Sequence, residues 1–234
     1  MISLKTNRFD EERRRLVESL ERMGTIKTEK VKNAMLKVRR EDFMWRSEEI
    51  ASYQDSPQSL GNTGQTISAP HMIAIMLEEM NLSPGLRVLE VGAGSGYNAA
   101  LMAEIIREPL NSKEKKSQVI SIERRDDLVK FASENIKRSD YSDIVSVCNG
   151  DGTLGYPEKS ENEIHDRIMV TAAAPHIPKY LLKQLKREGL LLIPVGEQHV
   201  QNLLRITKNN EDKLCTESIC ECMFVPLLGE DGYI

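Results

Sequence analysis

The chain has 234 residues, 40% of them hydrophobic and 29% charged, a balance that fits one folded domain of ordinary globular make-up. Lys and Arg total 32 against 36 Asp and Glu, and the net charge of -4 supplies no basic field for phosphates, which argues against a nucleic-acid partner. The longest apolar runs, such as 190–195, fall far short of the roughly 18 residues that cross a bilayer, and no signal-peptide core opens the chain, so a cytoplasmic protein without a membrane partner is predicted.

Apolar residues at helical spacing (Leu16, Leu20, Met23, then Val31, Ala34, Met35, Val38) predict amphipathic helices over 9–23 and 28–38, an N-terminal helical cap. Arg13-Arg14-Arg15 follows Asp10-Glu11-Glu12, where opposite charges can pair across one turn, so the run reads as a solvated helix face. From Arg40 to Thr66, Ser56-Pro57, Gly61-Asn62 and Gly64 mark a loop, and a loop this long is commonly functional or disordered. The stretch from Ser68 to Met80 is again helical, with Ser68 as N-cap and Pro70 in the first turn.

The chain then alternates. Strands are predicted at 87–91, 118–122, 144–148, 167–171 and 190–194, with helices around 99–106, 126–137 and 178–186, the pattern of a doubly wound α/β sheet. Two more strands, 202–207 and 218–226, follow with no helix between them, which makes seven strands and an antiparallel edge. Polar insertions at 108–117 and 158–166 read as solvated loops. Cys148, Cys215, Cys220 and Cys222 match neither a redox pair nor a zinc site and read as buried thiols; His165 and His199 read as surface, and Trp45, Tyr53 and Tyr97 as core or loop anchors.

Val88-Leu89-Glu90-Val91-Gly92-Ala93-Gly94-Ser95-Gly96-Tyr97 joins the first strand of the sheet to a helix. Glycines are needed where a backbone turns sharply or approaches a ligand closely. A dinucleotide fingerprint would place its third glycine at the position of Tyr97, whereas this loop is GxGxG with an acidic residue two before the first glycine. Glu123 ends the second strand, where a carboxylate can accept both hydrogen bonds of a ribose diol, and Asp151, in Asn149-Gly150-Asp151-Gly152, ends the third, where it can accept from an adenine amino group. Glu123 can equally be a solvent-facing strand end and Asp151 a turn former. All three acidic residues fall at strand C-termini, the ligand-binding edge of open α/β sheets. No Asp/Asn-Pro-Pro-aromatic run follows the fourth strand and no cysteine follows a proline, which weakens both common routes to nucleic-acid methylation.

The glycine loop resembles that of class I S-adenosylmethionine-dependent methyltransferases. The run from Asp55 to Met72, with Gln65-Thr66-Ile67-Ser68-Ala69-Pro70-His71 at its heart, resembles the protein-L-isoaspartate O-methyltransferase family, as do Val170-Thr171-Ala172-Ala173-Ala174-Pro175, Leu192-Ile193-Pro194-Val195-Gly196 and Phe224-Val225-Pro226-Leu227. The resemblance runs from about Thr25 to the last residue; the polar insertions and Ser56-Pro57-Gln58-Ser59 depart from the common form. It implies a Rossmann-like methyltransferase fold in one domain over 1–234, with 1–66 as cap and active-site loop and 67–234 as cofactor-binding core. It implies that Thr66, Ile67, Ser68, Glu90, Gly92, Gly94, Gly96, Glu123, Asp151 and Gly152 hold S-adenosyl-L-methionine. It further implies that Gln65, Ala173, Pro175 and Val195 hold the substrate, an isoaspartyl protein or peptide, and that Ser68 is the active-site serine.

The implied chemistry requires no metal and no general base. A carboxylate with a pKa of about 4 is already ionised at neutral pH, so positioning and removal of water should dominate. The Ser68 hydroxyl can donate to one carboxylate oxygen and leave the other free to attack, or it can serve as a helix cap. His71, one turn into its helix, reads as structural, and His176 either touches substrate or is an ordinary loop residue.

Overall fold

Helices α1 (Ile2–Arg22) and α2 (Glu29–Lys37) lead into two short 3-10 turns at Arg40–Phe43 and Glu49–Ala51, a small hairpin of β1 (Gln58–Ser59) and β2 (Thr66–Ile67), and helix α3 (Pro70–Glu79). The alternating part follows as β3 (Arg87–Val91), α4 (Tyr97–Ile106), β4 (Gln118–Glu123), α5 (Asp126–Arg138), β5 (Val145–Asn149), β6 (His165–Val170), α6 (Lys179–Gln184), β7 (Leu185–Gly196), β8 (Gln201–Lys208) and β9 (Leu214–Cys222). The computed structural model describes residues 2–45, 48–108, 117–197 and 199–234, with side chains from Arg8 onward; most of the first predicted polar insertion therefore lies outside the described residues.

Seven strands form one sheet in the order β5-β4-β3-β6-β7-β8-β9. The first five are parallel, and β8 and β9 close the edge antiparallel. Strand pleat divides the apolar residues between two cores. Val88, Val119, Val145 and Met169 face α1 to α5, whereas Leu89, Val91, Ile120, Ile122, Ile168 and Val170 face α6 and the C-terminal segment. Each fully buried aliphatic side chain contributes about 1.5–3 kcal/mol. The N-terminal helices share the first core, since Val17, Leu20, Val31, Ala34 and Met35 pack in the same cluster as α3 and α4. Among the described residues, no helix is long and apolar enough to cross a membrane.

Several local expectations are corrected. Ser68 is not the N-cap of α3: Ala69 is, with φ -57 and ψ 142 and no side-chain cap. Pro70 holds the residue before it out of the helical region, so the helix begins at Pro70 itself. The orphan N–H of His71 is taken instead by the Asp55 carboxylate at 2.9 Å, and the His71 ring meets the same oxygen. Arg13 does not face solvent with Arg14 and Arg15; it is buried against Asp10 and Tyr53. The cysteines are not buried thiols, because they sit on the two edge strands: Cys215 is exposed, and Cys148, Cys220 and Cys222 are half-buried.

His165 is buried, not superficial. β6 begins there, inside the second predicted insertion, and its ring Nε2 meets the Tyr156 carbonyl at 2.8 Å. The helix expected at 178–186 stops at Gln184 and β7 starts at Leu185. The buried Gln184 side chain accepts from Tyr156 N–H and donates to the carbonyls of Pro157 and Ser160, tying the 156–160 turn to the sheet.

Burial pulls the His165 imidazole down from 6.5 to about 4, against the smaller effect of its bond to Tyr156. The folded state therefore binds fewer protons than the unfolded state, and this contribution is complete above pH 6.5 and lost as pH falls towards about 4. His165→Gln is expected to flatten the decline in unfolding free energy between pH 7 and 4 by about 2 kcal/mol. Parallel urea titrations of the two proteins across that range measure it, and identical pH slopes would refute it.

Candidate active site

A cleft of about 360 Å³ opens at the C-terminal ends of β3 to β6, walled by Thr66, Gly92, Gly94, Glu123, Gly152 and Thr171, with Val225 to Leu228 as its outer side. Behind it lies a recess of about 40 Å³ reached past Thr66, Gly92, Gly94 and Thr171, whose wall includes Ile67, Ser68, Tyr97 and Asn98. A separate hollow of about 590 Å³ lies between Pro175, Gly196, Glu197, His199 and Tyr233.

The glycine loop is bent by three left-handed residues, Gly92, Gly94 and Gly96, at φ 100, 54 and 85. Each glycine has a different reason. A Cβ on Gly92 would collide with Thr171 Oγ1, which donates to the Gly92 carbonyl at 2.8 Å. On Gly94 it would meet only Leu60 at an ordinary 3.5 Å, so there the backbone angle is the constraint. On Gly96 it would press the Ala132 carbonyl at 3.3 Å, so that glycine sets the packing of α4 against α5. Gly92 and Ala93 N–H both donate to the Ile122 carbonyl, which holds the loop against the end of β4.

The two glutamates differ by environment. Glu123 lies at the strand end, where Oε2 accepts from Gly94 N–H at 3.0 Å and Oε1 from Arg125 N–H at 3.1 Å. Each oxygen keeps a lone pair, and the residue lines the cleft. Glu90 lies one pleat deeper, beside Ser121 and Met169 in the sheet register, and is fully buried under the first turn of α4. It accepts from Ser121 and from Asn98 Nδ2, the latter at 3.0 Å. Burial drives its carboxyl up to about 7, outweighing both hydrogen bonds. It supports the loop from beneath and does not line the cleft.

At the end of β5, Asp151 Oδ1 accepts from both Thr153 N–H and Thr153 Oγ1, and Oδ2 accepts from Glu230 N–H. One lone pair remains on Oδ2. Gly152 presses on Val91, where a side chain would not fit, and its backbone lines the cleft. From the other side, the hairpin places Gln65 and Thr66 on the cleft wall. Ser68 follows with its carbonyl held by Arg40 Nη2 at 2.9 Å. Its hydroxyl, which is not the cap of α3, has no hydrogen-bond partner among the described residues.

Of the substrate residues inferred from sequence, Pro175 lines the outer hollow and Gln65 the cleft. Ala173 is buried, its N–H and carbonyl committed to Val225 and Leu227, so it anchors the C-terminal segment beneath the cleft. Val195 bridges Ala174 and pairs with Asn202 without lining any of the three spaces. His176 meets Asp231 at 2.9 Å, joining the Pro175 turn to the C-terminal segment.

Sequence reasoning gave no site role to Thr171, Asn98 or the wall at 225–228, although Thr171 and 225–227 stand in the motifs that carry the family resemblance. Thr171 was accessible, since it ends a parallel strand beside the glycine loop. Asn98, whose buried Oδ1 has no partner among the described residues, carries no motif. The 225–228 wall depends on long-range folding.

Comparison with known proteins places this architecture. The family model described as protein-L-isoaspartate(D-aspartate) O-methyltransferase matches residues 11–232. The chain is 48% identical over 225 residues to a protein-L-isoaspartate O-methyltransferase of Hyperthermus butylicus, covering 96% of this chain and 92% of that one. It is 48% identical over 227 residues to one of Staphylothermus marinus, covering 97% and 98%. A Plasmodium falciparum crystal structure described as a protein-L-isoaspartate O-methyltransferase, in complex with S-adenosyl-L-homocysteine, superposes with a TM-score of 0.79 at 36% identity, over 91% of this chain and 96% of that one.

The glycine geometry yields a contrast. Gly94→Ala should cost only backbone strain, about 1 kcal/mol, whereas Gly92→Ala adds a collision with Thr171 and should cost about 3 kcal/mol or more. Denaturant titration measures both, and equal losses would contradict the roles given to the two residues.

Proposed function

The chain belongs to the protein-L-isoaspartate(D-aspartate) O-methyltransferase family, and from that premise we propose which of its residues carry the reaction. It is an S-adenosyl-L-methionine-dependent enzyme that methylates the free carboxylate of L-isoaspartyl residues in damaged protein. The donor and acceptor set of the cleft fits that cofactor. Glu123 keeps two lone pairs for a ribose diol, the left-handed Gly92 turn presents its backbone to the cleft, and Asp151, beside the cleft-lining Gly150 and Gly152, keeps one lone pair that suits an adenine amino group. Thr66, Ile67 and Ser68 close the methionine end with Gly94, Gly96 fixes the loop from behind by letting α4 pack on α5, and Glu90 props the loop from below.

The cofactor supplies an electrophilic sulfonium methyl group. The remaining work falls to the chain: to hold an already ionised carboxylate in line and to strip water from it. The observation that carries this reading is the Ser68 hydroxyl, released from capping by Pro70 and Asp55 and placed on the wall of the recess behind the glycine loop. There it donates to one carboxylate oxygen and leaves the second to attack. Gln65 on the cleft and Pro175 on the outer hollow meet the peptide, while Ala173 and Val195 act from behind, anchoring the C-terminal segment and the strand that carry those walls. The net charge of -4 supports protein and not nucleic acid as substrate. With no membrane-crossing helix among the described residues, a cytoplasmic setting is part of the same reading.

Two peptides identical except for one isoaspartyl or normal aspartyl linkage, offered with labelled S-adenosyl-L-methionine, test it. Labelling of the isoaspartyl peptide alone is expected, and Ser68→Ala should lower kcat about tenfold or more while S-adenosyl-L-homocysteine affinity stays within about threefold. Equal labelling of the two peptides, or an unchanged rate in Ser68→Ala, would sink the reading or the role of the serine respectively.

A further inference from the structure

Arg40 is 1% exposed, one of the largest fully buried side chains in the protein, and it is a cation. Burying a charge is costly unless hydrogen bonds and a counter-ion compensate it. Of its guanidinium nitrogens, Nη2 donates to the Ser68 carbonyl at 2.9 Å, while Nε and Nη1 meet no acceptor among the described residues. Its face lies over the Tyr97 ring, 5.2 Å from the centroid, which offers partial compensation only.

The carboxylates near it are already engaged. Glu41, the next residue, takes Tyr53, Arg13 and Arg39. Asp55 is held by the N–H and ring of His71. Desolvation consequently dominates the Arg40 side chain and pulls it down to about 10, with only small opposing effects from Tyr97, Tyr53 and Asp55. Ser68, which accepts the Arg40 hydrogen bond, and Tyr97, whose ring lies under its guanidinium, both line the recess behind the glycine loop. A positive charge thus lies directly behind the wall on which the acceptor carboxylate is received.

We propose that Arg40 is a positioning residue for the acceptor carboxylate, fixing the Ser68 peptide through its carbonyl and supplying the buried positive charge that draws an anion to the Ser68 hydroxyl. The proposal rests on the reading of Ser68 given above. Arg40 does not touch the reacting atoms; it acts through Ser68 and through its field, which in a poorly hydrated recess reaches farther than it would in water. It also gives a reason for a buried cation at a position where an apolar side chain of similar size would be no less stable.

Arg40→Met and Arg40→Lys are compared with the wild type in isoaspartyl-peptide methylation, in S-adenosyl-L-homocysteine binding by calorimetry, and in Tm. Arg40→Met is expected to raise KM for the peptide by about thirtyfold, to keep homocysteine-cofactor affinity within about threefold, and to melt no lower than the wild type. Arg40→Lys, which keeps the charge, should recover most of the KM. In a Ser68→Ala background, Arg40→Met should add less than its separate effect, because the two act as a unit. A KM unchanged in Arg40→Met would overturn the proposal. So would loss of cofactor affinity and Tm together with activity, which marks a structural role, or an Arg40→Lys no better than Arg40→Met, which is the deciding result if the Met variant does not fold. A wild type that leaves the isoaspartyl peptide unmethylated would instead overturn the reading of the site, and the role of Arg40 with it.

Discussion

The site depends on where the first free N–H of α3 finds its acceptor. Pro70 forbids the helix from starting earlier, and the His71 N–H then bonds to Asp55, sixteen residues upstream, at 2.9 Å. That single bond does two things. It pins the loop before the hairpin of β1 and β2 against the start of α3, and it leaves the Ser68 hydroxyl without a structural duty. The carbonyl of the same serine is held by Arg40, so the residue is fixed by its backbone while its side chain stays available. A helix cap formed by Ser68 itself would have spent the hydroxyl on the fold.

The second organising element is the contrast between two glutamates on adjacent strands. Glu90 and Glu123 are chemically identical and lie on the same face of the sheet, and depth along the strands separates their tasks. Glu90 faces the helices, where burial raises it to about 7 despite the hydroxyl of Ser121 and the amide of Asn98. Its folded value lies above its unfolded one, so the stability it lends is complete below about pH 4.5 and declines as pH rises through about 7. Glu123 sits at the strand mouth, orders the Gly94 and Arg125 backbones, and still has acceptor capacity facing the cleft. One supports the loop; the other meets the ligand. The two are bridged by Gly92 and Ala93, whose N–H groups converge on the Ile122 carbonyl next to Glu123.

Much of the fold was legible because its signals are local. The five parallel strands appear within a few residues of the β-branched runs that predicted them, except for β7, whose first half, Leu185 to Gly189, carries the charges of a surface helix. The glycine loop was legible because positive φ leaves few other residues to choose from. Features governed by distant contacts were not. Arg13 and His165 look like surface residues until α1 meets Tyr53 and the 156–160 turn closes over β6. The capping of α3 failed in part for the same reason: Ser68 has the right chemistry at nearly the right place, but Pro70 makes Ala69 the cap position, and the free N–H of His71 is taken by the distant Asp55. The role of Asp151 was simplified too, since the C-terminal segment from Glu230 occupies part of its carboxylate, and nothing near Asp151 in the chain announces that partner.

The most direct test of this account is a crystal structure of the protein with S-adenosyl-L-homocysteine and an isoaspartyl peptide. The account predicts Ser68 Oγ within about 2.6–3.2 Å of one isoaspartyl carboxylate oxygen, with the His71 N–H still on Asp55. A Ser68 hydroxyl turned to cap α3, with the carboxylate held elsewhere, would contradict it.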